Sequence, residues 1–566
     1  MNNPIKKSSY SFSEHIQIRS WKPVYLGLLL ALIFLLFSFL PSLLARPWYI
    51  QGVVSGLSLA IGYLLGTSAS ATIRWFTQRE IPENIKNQAW NILLIIAPVL
   101  LIVSLFLGRM WQNEVRQLLG VELIGMKDSM LIIVSTILSF LLFFFVGQLF
   151  IVLVRKARKL IGNRVPMRIG AGFALVMTLF LFYFVFSGVV AKTFFRLADE
   201  SFSARELTAP EGITQPASKY KSGSPESKIP WQNIGFQGRG FVGGGPSARE
   251  ISDYTGKKAL EPVRIYSGYT AADTSEARAR LVVEELKRTD AFSREVLVVA
   301  TPTGTGWIDP TVSDALEYMY DGDSAIVTQQ YSYLPSWISF LVDEGRAIET
   351  GRALYDAVIE EWLAQPEAER PKLFVYGLSL GSYAGQEPFS GVNDIRRSVD
   401  GALFTGTPNR SMLWRDLTAQ RDQGSPEWQP SYKNGQSVRF ASSKQDILEN
   451  DDKWTDDTRI LYLQHANDPI TWFDSDLLFN KPDWLKEKRG YAVSPATRWF
   501  PILTFFHIAL DQAVAASAPV GHGHYYIDTT AYAWQAVTRP DGWTTKDSDR
   551  LQAYIKAKNE FEITTP

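Results

Sequence analysis

The sequence predicts two structural classes in one chain of 566 residues, an all-α transmembrane bundle and then an α/β domain with a mostly parallel sheet flanked by helices. Long apolar runs almost free of charge fill the first third, which is typical of helices that cross a hydrocarbon core about 30 Å thick. Later in the chain, short apolar runs alternate with amphipathic segments, as in parallel α/β folds. A stretch rich in Gly, Pro and Ser lies between them. We therefore predict a transmembrane anchor domain over 1–192, a linker or loosely packed entry segment over 193–261 and an α/β domain over 262–566.

Five apolar stretches of the first domain are long enough to span a membrane as helices. They are Val24–Leu44, Trp48–Ala71, Ala89–Leu107, Met130–Val154 and Ile169–Ala191. The N-terminal tail and the loops on its side of the membrane carry 13 Lys and Arg residues, against 7 on the opposite side. Because cytoplasmic loops carry the excess of positive charge, the N-terminus is predicted to be cytoplasmic. Five crossings of the plasma or inner membrane then place the α/β domain outside the cytoplasm.

Charge and composition exclude several classes of function. Residues 193–566 carry 39 Lys and Arg against 51 Asp and Glu, and so acidic a region repels the phosphate backbone of nucleic acids. The chain has no cysteine, which excludes disulfides, thiol nucleophiles and thiolate metal sites. No metal site is evident, and the chemistry described below needs no cofactor. The sequence does not indicate an oligomeric state.

Six apolar runs after residue 261 predict strands of a parallel sheet. They occupy residues 263–268, 295–300, 324–332, 372–377, 401–406 and 459–464. A helix is predicted from an N-cap at Asp273 to about Arg288, with Glu276 as the capping-box partner. A longer helix is predicted from about Asp343 to Leu363.

The pentapeptide Gly377-Leu378-Ser379-Leu380-Gly381 follows the fourth of these runs and precedes a segment that can form a helix. Glycines on both sides of a serine, in a strand-to-helix turn, are typical of the nucleophile elbow of α/β-hydrolases. Read alone, the motif is also compatible with a glycine-rich turn and a capping serine. The strand before it favours Ser379 as a nucleophile.

A serine hydroxyl needs a base, and the chain offers five histidines. His15 lies on the cytoplasmic side of the first span, His507 is predicted to lie in an apolar core helix, and His465 precedes the expected acid. His522 and His524 remain, in a glycine-rich loop before the last helices. We prefer His524 as the base because the residues around it, Gly523-His524-Tyr525-Tyr526, are typical of such bases, and we keep His522 as the alternative.

The acid of a hydrolase triad follows the serine and precedes the histidine in the chain. Asp468 meets this condition, since it comes a short turn after the strand that ends near Gln464. Asp474 and Asp476 are alternatives. An Asp before Pro is also a common turn residue, so only the order of the three residues favours a catalytic role for Asp468.

The tetrahedral intermediate of acyl transfer needs hydrogen-bond donors for its oxyanion. The backbone N–H of Leu380 is the first predicted donor, since it follows the serine. The loop after the second strand, with Thr303 and Gly304, is predicted to supply the second.

Several stretches together resemble a family of bacterial membrane-associated α/β-hydrolases, in which a multi-span N-terminal domain precedes a hydrolase domain. They are GRGFVGGGP, IYSGYTAADTSEARARLVVEEL, VATPTGTGWIDP, YGLSLGSYAG and VGHGHYY. The resemblance covers nearly the whole chain and implies the fold and a serine-hydrolase apparatus. Ser379 matches the elbow serine, and His522 and His524 match the histidine region. The resemblance implies no substrate.

These observations predict a membrane-anchored serine hydrolase that acts on an ester or other acyl substrate. The membrane anchor and two aromatic runs, residues 334–341 and 499–506, favour a lipid or an envelope-linked acyl compound. An acyltransferase would use the same three residues but pass the acyl group to an alcohol instead of water. A catalytically silent sensor or scaffold is a third possibility. It is disfavoured because the triad is intact.

Overall fold

In a computed structural model, the described part of the chain covers residues 24–77, 82–161, 176–178, 205–334, 339, 344–449 and 454–564. The chain divides into two compact units. The first unit comprises residues 1–195, 477–480 and 494–514, and the second comprises residues 196–476, 481–493 and 515–566. Two short segments of the C-terminal region, including 494–514, therefore belong to the unit that contains the long apolar helices.

The described α-helices are α1 (Tyr25–Ser38), α2 (Trp48–Thr77), α3 (Glu83–Leu118), α4 (Met126–Ile161), α5 (Phe236–Gly244), α6 (Ala248–Thr255), α7 (Ser275–Arg288), α8 (Pro310–Met319), α9 (Glu344–Ala364), α10 (Leu380–Gln386), α11 (Val392–Ser398), α12 (Met412–Ala419), α13 (Lys444–Leu448), α14 (Pro469–Trp472), α15 (Leu503–Asp511), α16 (Thr530–Thr538) and α17 (Thr545–Thr564). The described strands are β1 (Val263–Ser267), β2 (Val296–Thr301), β3 (Ser324–Gln329), β4 (Lys372–Leu378), β5 (Gly401–Thr405), β6 (Val438–Ala441) and β7 (Arg459–Leu463).

Three helices within the described residues, α2, α3 and α4, are long and apolar enough to cross a membrane. Many apolar side chains of α3 and α4 are exposed, among them Leu94, Ile102 and Leu142. Such surfaces suit lipid better than water. Helix α1 has 14 residues, or roughly 21 Å at the α-helical rise, so the predicted span Val24–Leu44 is not one continuous membrane-length helix. The predicted span over 169–191 lies outside the described residues, except for 176–178.

Glycines of α2 allow close packing of the helices in the first unit. A Cβ atom at Gly62 would lie 2.6 Å from the carbonyl oxygen of Leu30 in α1, and one at Gly56 would lie 2.7 Å from the backbone nitrogen of Phe140 in α4. Close contacts within one chain therefore account for these glycines.

Helix α15 is held in the first unit by a buried ion pair. The Arg46 guanidinium donates to Asp511 at 2.6 Å, and neither side chain is exposed. The backbone N–H of Leu43 also donates to the Asp511 carboxylate, at 3.1 Å. His507 is buried in the same helix, as predicted. The aromatic run 499–506 thus lies in the first unit, where Phe500 stacks on Phe37, and not in the unit that carries Ser379.

The second unit contains a seven-stranded parallel sheet in the described residues, with the order β1-β3-β2-β4-β5-β7-β6. The α/β fold and six of its strands agree with the sequence analysis. Strand β6 was not predicted because it is only four residues long and is interrupted by Arg439. The predicted cap of α7 at Asp273 is wrong by one residue, since Thr274 accepts the hydrogen bond from the N–H of Ala277.

The segment before β1, which was predicted as a linker or a loosely packed entry segment, is packed onto the sheet. Ser222 and Arg264 are joined by a backbone hydrogen bond of 3.0 Å, which extends the edge of β1. Ile229, Ile234 and Val242 are fully buried. The high Gly, Pro and Ser content of the segment is typical of loosely packed chain, so the sequence did not indicate that these few apolar residues are buried.

The topology leaves a crevice at the carboxyl edge of the sheet. Strands β2 and β4 are neighbours in the sheet. The chain continues from β2 to β3 on one side of this pair and from β4 to β5 on the other side, so it leaves the two strands in opposite directions. In open parallel sheets, ligands bind at such a switch point. The loops after β2 and β4 carry the residues proposed for the oxyanion site and the nucleophile.

Candidate active site

Ser379 lies on a strained turn between the central strand β4 and helix α10. Its backbone has φ +59° and ψ −125°, a conformation that non-glycine residues adopt only when their surroundings enforce it. The N–H of Ser379 donates to the carbonyl of Thr405, at the end of β5, at 2.9 Å. Strain of this kind is concentrated at functional sites, and a strained serine between a strand and a helix is the arrangement that the sequence predicts for Ser379.

Close backbone contacts explain both glycines of the motif. A Cβ atom at Gly377 would lie 2.5 Å from the carbonyl oxygen of Gly381, so β4 and α10 can meet only without side chains. A Cβ atom at Gly381 would lie 2.2 Å from the carbonyl oxygen of Thr301 and 2.5 Å from that of Pro302. The loop after β2 therefore passes directly against the turn that holds Ser379.

Asp468 and His524 form a hydrogen-bonded pair, in which the carboxylate is buried and the imidazole is partly buried. Asp468 follows β7, is fully buried and caps α14 by accepting the N–H of Ile470 at 2.9 Å. Its Oδ2 atom accepts a hydrogen bond from His524 Nδ1 at 2.6 Å and another from the Tyr526 hydroxyl at 2.7 Å. Because Nδ1 carries the proton in this bond, Nε2 of a neutral ring is left as an acceptor.

The His524 ring lies near the serine turn. A Cβ atom at Gly406 would lie 2.4 Å from Cε1 of this ring, and Gly406 directly follows Thr405, whose carbonyl binds the N–H of Ser379. Among the described residues, Nε2 of His524 is buried and has no hydrogen-bond partner. In the described part of the chain, Ser379 Oγ and His524 Nε2 are not joined by a hydrogen bond, and catalytic bonds between a serine and a histidine often tighten only with substrate.

His522, the alternative base, has different neighbours. Its Nδ1 atom accepts a hydrogen bond from the Asn467 amide at 3.3 Å, and its ring stacks on Tyr491. Burial lowers the pKa of His522. Within the described residues, the carboxylate of Asp468 binds His524 and not His522.

His465 supports the histidine loop. Its Nδ1–H donates to the carbonyl of Gly523 at 2.9 Å, and its ring stacks on Tyr526 with 4.1 Å between centroids. Burial lowers the pKa of His465 to about 4, so the ring is neutral at physiological pH. His465 therefore fixes the position of the loop that carries His524.

The predicted oxyanion donors have different geometries. Leu380 is the first residue of α10, where a backbone N–H has no acceptor within its own helix. The N–H of Thr303 donates to the carbonyl of Trp307 at 3.0 Å, so this group is not available as a backbone donor in the described conformation. Gly304 lies in the same turn. This loop therefore does not offer the N–H of Thr303, and a donor from Gly304 stays a prediction.

Three residues of the site were missed from the sequence. Tyr526 binds the carboxylate of Asp468. Its position two residues after His524, as an aromatic residue in the Gly523-His524-Tyr525-Tyr526 stretch, was a signal that could have revealed it. Tyr266 donates to the carbonyl of Gly306 at 2.8 Å and Gln330 to that of Thr305 at 3.3 Å, so both hold the loop after β2. No sequence pattern distinguished these two residues. Asp474 and Asp476, the alternative acids, cap an exposed turn, where the N–H of Asp476 donates to Asp474.

Among the described residues, no group of three or more His, Asp or Glu side chains is arranged to hold a metal ion.

A parallel sheet with a serine on a strained turn after its central strand, and an Asp–His pair beside that turn, defines the α/β-hydrolase class. The chain belongs to the alpha/beta-hydrolase family whose sequence model matches residues 263–551. A second model, for the N-terminus of the same family, matches residues 39–246. Neither a curated protein nor a solved structure matches the chain. Family membership supports a hydrolase-type function, and the three long apolar helices indicate membrane association.

Proposed function

We propose that the protein is a membrane-anchored serine hydrolase that cleaves an ester or related acyl substrate. The observation that carries this proposal is the strained backbone of Ser379 next to the hydrogen-bonded Asp468–His524 pair. A capping serine or a structural histidine would not require both features together.

The reaction follows from the roles of these three residues. Ser379 Oγ attacks the acyl carbonyl while His524 Nε2 accepts the hydroxyl proton, and Asp468 stabilises the imidazolium that forms. The N–H of Leu380 stabilises the oxyanion of the tetrahedral intermediate. Collapse of this intermediate breaks the ester C–O bond, and His524 returns the proton to the leaving alcohol. Water then attacks the acyl-serine by the same route and releases the acid.

The excess of Lys and Arg on the N-terminal side of the predicted spans supports a cytoplasmic N-terminus, and the catalytic unit then lies outside the cytoplasm if all five predicted spans cross the membrane. In that setting, an amphiphilic ester of the membrane or of the cell envelope is the substrate class in reach. The acidic character of residues 193–566 argues against nucleic acid as a partner.

Labelling with a small fluorophosphonate tests the proposal, because such a probe modifies only an activated serine. We expect the wild type to be labelled and Ser379→Ala to remain unlabelled. His524→Ala is expected to slow labelling by at least 10³-fold, and His522→Ala, the matched control, by less than tenfold. The proposal is wrong if the folded wild type is not labelled, or if Ser379→Ala is labelled as fast as the wild type.

A further inference from the structure

A buried amide, that of Gln386, lies at the centre of a hydrogen-bond network behind the serine turn. Gln386 is the last residue of α10 and is 2% exposed. Its Oε1 atom accepts the hydroxyls of Ser411 and Tyr462, each at 2.8 Å. Its Nε2 atom donates to the carbonyl of Ser382 at 2.9 Å and to the Ser382 hydroxyl at 3.1 Å. Since a carbonyl can only accept, these bonds fix the orientation of the amide.

The partners of Gln386 lie in three parts of the chain that position the proposed triad. Ser382 lies in α10, the helix behind the nucleophile. Thr407, which accepts a further bond from Nε2 at 3.4 Å, lies in the loop after β5. Tyr462 lies in β7, six residues before Asp468. One buried side chain therefore connects these three elements.

The loop after β5 contacts both the nucleophile and the base. The carbonyl of Thr405 accepts the N–H of Ser379 at 2.9 Å. A Cβ atom at Gly406 would lie 2.4 Å from Cε1 of His524, so the ring packs against this loop. Thr407 is the next residue, and its hydroxyl is hydrogen-bonded to α10. A shift of this loop relative to α10 would therefore move the base relative to the nucleophile.

The backbone bonds of the sheet do not fix these positions by themselves. Strands β4, β5 and β7 are paired by parallel ladders, but α10 and Thr407 lie beyond the last paired residues. An amide is costly to bury unless its polar atoms are bonded, so an apolar side chain of similar size would satisfy packing alone. A fully bonded buried polar group instead selects one arrangement of its partners.

We propose that Gln386 is a positioning residue of the reaction, which holds the helix of Ser379 and the loop beside His524 at the separation that proton transfer needs. The inference rests on the proposed function, because it concerns the step in which His524 accepts the proton of Ser379. Within the described residues, Gln386 has no hydrogen bond to Ser379 or His524, so it acts through its partners. A displacement of about 1 Å between reacting groups can lower a rate by about 10²-fold.

Labelling by a small fluorophosphonate at increasing concentration tests this role on the full-length protein in lipid nanodiscs. Ser379 Oγ forms a bond to phosphorus, fluoride leaves, and His524 takes the hydroxyl proton. The limiting rate constant therefore measures the alignment of the two groups, and the half-saturating concentration measures binding of the probe. We expect Gln386→Met, which keeps the length of the side chain but not its hydrogen bonds, to lower the limiting rate constant about 30- to 100-fold, with the half-saturating concentration within about twofold of wild type.

A milder pair of variants decides the question if Gln386→Met does not fold. Tyr462→Phe removes one of the two hydroxyls bound to Oε1 and should lower the limiting rate constant about three- to tenfold. Tyr320→Phe is the matched control. Tyr320 is also buried, its hydroxyl donates to the carbonyl of Thr538 at 3.4 Å, and it precedes β3, at the edge of the sheet opposite to Ser379. Its limiting rate constant should stay within about twofold of wild type.

This constant separates positioning from folding, because it is a property of the folded molecules that react. A loss of stability lowers the amount of protein labelled and leaves the constant unchanged. Limiting rate constants of Gln386→Met and Tyr462→Phe that match that of Tyr320→Phe would overturn the positioning role while leaving the activated serine in place. So would a change confined to the half-saturating concentration. A wild type that is not labelled would overturn the proposed function, and the positioning role with it.

Discussion

Two loops of the sheet carry the same local motif but have different surroundings. Asp309-Pro310 follows β2 and begins α8, and Asp468-Pro469 follows β7 and begins α14. Each aspartate is buried and accepts the backbone N–H two residues later, at 2.8 Å in Asp309 and 2.9 Å in Asp468. Locally, both are helix caps with a proline at the first helical position.

The difference comes from distant parts of the chain. Oδ2 of Asp468 meets His524, which lies 56 residues later, and Tyr526. The hydrogen bonds of Asp309 within the described residues come from its own helix. Burial raises the pKa of Asp309 to about 6, because the bonds from Thr311 offset the loss of water only in part. An aspartate that caps a helix is thus a candidate catalytic acid only when a histidine from another part of the chain binds its carboxylate.

Replacing each aspartate by asparagine separates the two roles most strongly. Asparagine still caps a helix, but it cannot hold the imidazole in the required tautomer or stabilise its charge. We expect Asp468→Asn to lower kcat on a 4-nitrophenyl ester by about 10³ to 10⁴-fold. Asp309→Asn should change it by less than about threefold. Similar losses in the two variants would contradict this division.

A smaller effect is expected from the hydroxyl of Tyr526, which donates to Asp468 and accepts the N–H of His465 at 3.1 Å. Tyr526→Phe leaves a buried carboxylate with one donor fewer and a buried N–H without its acceptor. We expect kcat to fall about tenfold and the thermal midpoint to decrease. Tyr525→Phe is the control, since its hydroxyl has no hydrogen bond among the described residues. If the two variants behave alike, Tyr526 does not support Asp468.

The smallest effect concerns stability at Asp309. Its pKa is near 4 when unfolded and about 6 when folded, so the folded state binds more protons between these values. The free energy of unfolding therefore decreases as the pH rises from about 4 to 6, by up to about 3 kcal/mol. Asp309→Asn removes this contribution. Tryptophan-fluorescence melting at pH 4.5 and 7 should show a smaller decrease for the variant than for the wild type, and an equal decrease would refute the prediction.

The two aspartates also show how far the sequence alone could lead. Asp-Pro after an apolar strand marks both loops equally, and only the order of serine, acid and histidine favoured Asp468. The nucleophile was easier to recognise, because Gly377 and Gly381 record backbone contacts that leave a signature in the chain. The turn that engages the N–H of Thr303 leaves no such signature, since any residues could form it.

The sequence alone also could not show that residues 494–514 belong to the first unit. An apolar pattern shows that a segment is buried, but not against which surface. Asp511 looks like an ordinary helical carboxylate in the sequence, and its partner Arg46 precedes it by 465 residues.

The ion pair of Arg46 and Asp511 bears on the modularity of the protein. A fragment that starts after the apolar helices would keep Asp511 but lose the arginine that neutralises it. One partner of a buried pair left alone costs roughly 3–5 kcal/mol, and the apolar face of α15 would be uncovered as well. The hydrolase region therefore cannot be cut out or exchanged at a single boundary in the chain. Any exchange of this region between proteins would have to bring Arg46 together with Asp511.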